Sequence, residues 1–112
     1  NVAFSQAPDR SGEFSYGQSK DWGLNQGFGP REFTDFIEFD KPFDTVPTVM
    51  LNITGMDVSN ENALRYTVKI AKVSAAGFKI VISTWENTKI NMVQGTWYAF
   101  AGKAASPSPK GK

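Results

Sequence analysis

An all-β chain, folded as an antiparallel sandwich or barrel, is what this sequence predicts. Three observations carry the prediction. Apolar and polar residues alternate with a period of two through several short stretches, as in strands that bury one face. Gly, Pro, Asn and Asp fall between those stretches at regular spacing, where turns need them. No stretch sustains the 3.6-residue period of an amphipathic helix. At 112 residues the chain suits one domain, with an adequate but not generous core.

Taken in order, Asn1 to Pro8 shows no clear period and is expected to lie over the surface or to be poorly ordered. Gly12 to Gly17 (GEFSYG) is short, alternating and glycine-bounded, and reads as a first strand. Gln18 to Pro30 carries Gly23, Gly27, Gly29 and Pro30 around Trp22, Leu24 and Phe28. It is a long irregular loop of the kind that in a compact domain is functional or a covering flap, with Trp22 a flap residue or an oligomer contact. Glu32 to Phe39 alternates again: Phe33, Asp35, Ile37 and Phe39 share one face, Glu32, Thr34, Phe36 and Glu38 the other. Asp40 to Pro47 is a turn region. Thr48 to Ile53 places Val49, Leu51 and Ile53 inward, and Gly55 with the polar run 57–62 is expected to end it. Leu64, Tyr66, Val68 and Ile70 form the next alternating set, with a parity shift near Lys72-Val73 that suggests a bulge. Ser74 to Gly77 is a tight turn.

The stretch from Gly77 to Trp97 (GFKIVISTWENTKINMVQGTW) carries the most chemistry. Phe78, Ile80 and Ile82 alternate with Lys79, Val81 and Ser83. Thr84-Trp85-Glu86-Asn87-Thr88 then interrupts the apolar run, before Ile90 and Met92 resume it on one parity. An indole, a carboxylate, an amide and two hydroxyls between two strands suit a polar ligand with one apolar face. The same residues also fit a plain core strand pair in which Trp85 packs. Lys103 to Lys112 (KAASPSPKGK) is Ser, Pro, Gly and Lys, the composition of a flexible tail or linker. The domain is thus expected over 12–102, with an N-terminal extension over 1–11.

Composition narrows the function. A formal charge of +1, from 12 basic and 11 acidic residues spread along the chain, shows no basic stripe for nucleic acid. No apolar run approaches the roughly 20 residues that span a bilayer. Without cysteine there is no disulfide and no thiolate chemistry. Without histidine there is no Ser-His-Asp arrangement and no His-built zinc site. Glu38 and Asp40 share a strand face as a carboxylate pair but sit in a run that reads as structure, so no enzyme is expected. The sequence starts at Asn1 without a methionine or a signal-like segment, as a mature product or an excised part would.

One ordered set of residues is more specific. Phe39, Pro42-Phe43, Pro47-x-Val49, Leu51-x-Ile53, Asp57, Arg65, Val73, Gly77-Phe78, Thr84-Trp85-x-x-Thr88 and Trp97-x-Ala99 follow one another at short intervals. In that register the chain resembles the H-type lectin domain, the family of snail agglutinins and discoidin C-terminal domains, from about Gly12 to Gly102. The resemblance implies a six-stranded antiparallel β-sandwich and a parallel homotrimer, or a dimer of trimers. It further implies binding of terminal galactose or N-acetylgalactosamine at the junction of neighbouring protomers, without metal or other cofactor, in a secreted, extracellular protein.

Residue by residue, the resemblance implies a carbohydrate site at Arg65, Trp85, Glu86, Asn91 and Phe28. Arg65 matches the arginine that reaches the sugar from a neighbouring protomer, and Trp85 the tryptophan of Trp-x-x-Thr. Glu86 stands where well-known snail members carry histidine, Asn91 where they carry a sugar-packing tyrosine, and Phe28 where an aspartate would grip hydroxyls once Arg31-Glu32 is aligned with the family's Arg-Glu pair. The chemistry suits a pyranose: carboxylates, amides and guanidiniums bond adjacent hydroxyls, and an indole or phenyl ring covers the C–H face. The other reading of the same departures is an assembly module that keeps the trimer and has lost the sugar. Taken residue by residue, the plain alternative for Arg65 is a pair with Glu61 or Glu86 across protomers, and for Glu86 a solvated side chain. Trp97 reads as core. Asn52-Ile53-Thr54 is an N-glycosylation triplet in a strand setting.

Overall fold

The computed structural model describes residues 9–17, 19 and 21–101. The expected N-terminal extension, for all but its last three positions, and the Ser/Pro/Lys tail lie outside them. Six strands follow in order: β1 (Arg10–Gly17), β2 (Arg31–Glu38), β3 (Thr48–Val58), β4 (Thr67–Ala71), β5 (Gly77–Thr84) and β6 (Ile90–Phe100). They form two antiparallel three-stranded sheets, β1-β6-β3 and β2-β5-β4, so the fold is the expected β-sandwich.

Alternation does the folding. Phe78, Ile80 and Ile82 on β5 are fully buried while Lys79, Val81 and Ser83 are only partly covered. On β2, Phe33 and Ile37 turn toward the core and Glu32, Thr34, Phe36 and Glu38 toward solvent. Each large apolar side chain so buried contributes about 1.5–3 kcal/mol. Aromatic rings fill both ends of the interior. Phe39, Phe43, Phe78 and Trp97 pack with centroids 5.1–6.0 Å apart at one end. Phe14, Tyr16, Phe33 and Trp22 chain together at 4.9–5.6 Å toward the other. Trp97 is therefore core, as its spacing suggested. The Tyr16 hydroxyl donates to Asp35 Oδ2 at 2.7 Å, bridging the two sheets. Burial, then that bond and the neighbouring charge of Asp35, raise the Tyr16 phenol above its ordinary range.

Four local readings change. First, β5 and β6 do not pair; they belong to opposite sheets, and residues 85–89 form an arch across the sandwich. Second, β3 does not stop at Gly55. The register jumps from Ile53↔Gly95 to Gly55↔Gln94, leaving Thr54 as the extra residue of a bulge. The inward parity passes from Val49, Leu51 and Ile53 to Met56 and Val58. Third, Asn91 is the extra residue of a second bulge, between the pairs Val58↔Ile90 and Asp57↔Met92. The inward set of β6 is consequently Ile90, then Val93, Gly95, Trp97 and Ala99, with Met92 off that face. Fourth, Leu64 and Tyr66 are exposed and precede β4 instead of opening it. The expected irregularity at Lys72 appears as a left-handed residue (φ 50°) after β4.

The sandwich has two distinct poles. The segments 21–30, 59–66 and 85–89 meet at one, where β2 and β4 begin and β5 ends. At the other, Phe39 N and Phe43 N donate to Ala76 O and Ala75 O, and Arg10 stacks 4.5 Å over Phe43.

Candidate functional site

The loop–arch pole holds the polar cluster, and the core holds that pole in place. Trp22, at 1% exposure, is neither flap nor free surface: its Nε1 donates to Ile90 O at 2.7 Å. Leu24 is fully buried and its carbonyl accepts from Ile90 N. The long loop is thereby pinned from below, leaving 25–30 to wrap over the arch. At its crest Thr88 N closes a turn on Trp85 O at 3.4 Å, and Glu86 takes a left-handed φ of 59°. A non-glycine residue in that region is strained by roughly 1 kcal/mol.

Two buried hydroxyls lace the third segment to the arch. Thr84 Oγ1 donates to Arg65 O and Thr88 Oγ1 to Ala63 O, both at 2.6 Å. The Arg65 guanidinium lies back along the same arch, its Nη1 donating to Asn87 Oδ1 (3.0 Å) and Thr88 Oγ1 (3.1 Å). Arg31 completes the assembly from the start of β2, with donors directed at carbonyls of the loop and the arch. Lys89 Nζ adds bonds to Gly27 O (2.9 Å) and Asn87 O (3.2 Å).

The five residues expected to bind sugar are placed as follows. Arg65, Trp85 and Glu86 share the arch neighbourhood. Trp85 is 39% exposed and borders a shallow depression with Pro30, Arg31, Glu32, Ser83 and Thr84. Phe28, 72% exposed, precedes Gly29, whose N–H donates to Glu86 O at 2.9 Å; it therefore stands beside the arch. Asn91 is set apart in the β6 bulge, its carbonyl so close to Gly17 of β1 that a Cβ there would stand 2.3 Å away. Glu38 and Asp40 lie exposed near the opposite pole. Among the described residues no three His, Cys, Asp or Glu side chains converge to hold a metal ion. None forms a helix long and apolar enough to cross a membrane.

Sequence reasoning missed Arg31 and Lys89 as members of the site. Their partners are main-chain carbonyls, which no motif of side chains reveals. The available signal was Gly27-Phe28-Gly29-Pro30-Arg31: both glycines have positive φ (86° and 81°), bending the loop back onto the arginine that follows.

The fold agrees with the comparisons. The H-type lectin domain profile matches residues 34–100. A Fuscovulum blasticum protein described as ATP synthase subunits region ORF 7 is 32% identical over 73 residues, 65% of this chain and 64% of its own. A discoidin-1 polypeptide of Dictyostelium discoideum is 32% identical over 79 residues, 70% of this chain but 31% of its own. The chain thus spans less than two thirds of either relative. A solved structure of recombinant discoidin II from Dictyostelium discoideum superposes with a TM-score of 0.74 at 24% identity, covering 85% of this chain and 38% of that one. A wild-type discoidin II structure gives 0.75 at 23%, covering 91% and 40%. These matches support a carbohydrate-binding, lectin-type role for this domain. On the extent of the profile match and the order of its strands, the chain belongs to the H-type lectin domain family.

Proposed function

We propose that the chain is a carbohydrate-recognition module for terminal galactose or N-acetylgalactosamine, working as a homotrimer or a dimer of trimers in the extracellular space. The observation that carries this reading is the joining of three chain segments at one pole, which gathers an exposed indole (Trp85), an exposed phenyl ring (Phe28), a carboxylate (Glu86) and a guanidinium (Arg65). Rings cover the apolar face of a pyranose, and the charged groups bond its hydroxyl pairs. No metal is required by this chemistry. Asn91 contributes only if a ligand extends along β6. Single sites of this kind bind weakly, and a trimer gains through avidity.

Titration calorimetry with galactose and N-acetylgalactosamine, backed by a broad glycan array, is the direct test. Millimolar-range binding supports the reading; silence across the panel at millimolar sugar rejects it.

A second reading is a trimerisation module without sugar. What favours the loss of sugar is that Arg65, the residue that would reach into a neighbour's site, bonds Asn87 and Thr88 of its own chain. A trimer by solution mass with no sugar affinity selects this reading, and a stable monomer excludes both.

A further inference from the structure

The loop carrying Phe28 and the arch carrying Glu86 are joined through main-chain carbonyls, and one side chain makes most of the joints. Arg31 Nε donates to Gly29 O at 2.8 Å. Its Nη1 donates to Gln26 O at 2.6 Å and Thr88 O at 3.1 Å. Its Nη2 donates to Glu86 O at 2.8 Å. Two of these acceptors lie in the loop and two in the arch. Arg31 stands where the loop ends and the arch begins: it is the first residue of β2, paired with Thr84, the last of β5. The loop is moulded on its stem, since a Cβ at Gly27 would stand 3.2 Å from Arg31 Cδ.

We propose that Arg31 is the positioning residue of the saccharide site, setting the spacing between Phe28 and Glu86 through four main-chain carbonyls; the inference rests on the carbohydrate-binding reading above. A guanidinium is suited to this because its rigid planar fork presents five N–H donors in fixed directions, whereas an ammonium on a flexible stem does not. The clamp also orients main-chain donors. A trans peptide opposes its N–H to its C=O, and the described peptides are all trans. With Gln26 O and Glu86 O drawn toward Arg31, and Gly27 O and Asn87 O drawn toward Lys89, the N–H groups of Gly27, Asn87, Phe28 and Thr88 point away from those cations. Thr88 N–H is taken by Trp85 O. A rim built this way keeps its shape when its outward side chains change.

The test uses the full chain with Arg31→Lys and Arg31→Met. Three readouts are taken: amide hydrogen exchange at Gly29, whose N–H bonds Glu86 O; exchange along β5; and affinity for galactose and N-acetylgalactosamine by calorimetry. The proposal expects Gly29 to exchange at least about tenfold faster and affinity to fall at least about tenfold in both variants, with β5 protection unchanged. Loss of protection in β5 equal to that at Gly29 in both variants would make Arg31 a general folding residue and overturn the proposal. So would unchanged exchange at Gly29, or unchanged affinity with the joint opened. If the parent chain binds neither sugar, the carbohydrate reading fails by itself, and the exchange at Gly29 still decides whether Arg31 sets the joint.

Discussion

Glu86 combines a strained backbone with an outward carboxylate, and the two have opposite consequences. Glycine adopts a φ of 59° without the steric cost a Cβ imposes. Glu86→Gly is therefore expected to stabilise the fold by about 1 kcal/mol, raising Tm by roughly 4 °C in a thermal melt. In the proposed site it also removes a charge-assisted partner for sugar hydroxyls, so calorimetry should show affinity down by about tenfold or more. A variant that neither gains stability nor loses affinity would show that the strain is relieved elsewhere and that the carboxylate is idle. Tyr16 gives a prediction of a different kind. Its phenol is held protonated beyond its ordinary range near pH 10 by burial and Asp35. A group whose folded pKa is raised stabilises fully below the unfolded value and loses that contribution as pH climbs toward the folded one. The parent should thus lose stability above about pH 10 more steeply than Tyr16→Phe, which at neutral pH should be less stable by roughly 1 kcal/mol in urea melts. Parallel curves for the two proteins would remove Tyr16 from the account.

Among the elements, the 18–30 loop departs furthest from its appearance in the sequence. A loop has no period, so nothing in the letters around Trp22 and Leu24 distinguishes an apolar residue that covers a site from one that anchors it. The fold decides: the Trp22 indole lies under β6 with its N–H on Ile90 O. Trp22→Ala is expected to cost about 3–5 kcal/mol, measured as a lowered urea midpoint, where a flap residue would cost under about 0.5 kcal/mol. Strands were far more legible. The inward sets of β2, β5 and the first half of β3 follow directly from alternation, because one buried face forces it. Alternation stops being informative at a bulge. Thr54 and Asn91 each insert one residue, the parity inverts, and Met56, Val58 and Met92 change sides. Period also carries no information on which strand lies beside which. Hence two neighbouring apolar runs, β5 and β6, resemble a hairpin and yet belong to different sheets. The side chains of the site were partly legible through the Trp-x-x-Thr register. The carbonyls that Arg31 and Lys89 hold were not, since every residue has one.

For the whole molecule, the proposed assembly and the proposed recognition would share Arg65. A parallel trimer would place three sugar sites in one unit, so a surface coated with galactoside should hold the protein about 10²–10⁴ times more tightly than the free sugar does. Light scattering is expected to give three, or six, times the 12.3 kDa chain mass. Arg65→Ala removes bonds to Asn87 and Thr88 and should loosen the arch. Its expected result is a shift toward smaller mass, weaker retention on the coated surface, or both. A variant unchanged in each would place the saccharide elsewhere.

Arg10 pairs with Ala99 at the pole farthest from the arch, so the polypeptide enters and leaves this domain side by side at its base. Whatever is attached on either flank, be it another domain, a tether or a solid support, joins the domain at that base. The arch pole, the proposed recognition tip, then faces away from its own attachment, and a surface decorated through either flank would hold its tips outward like bristles on a brush.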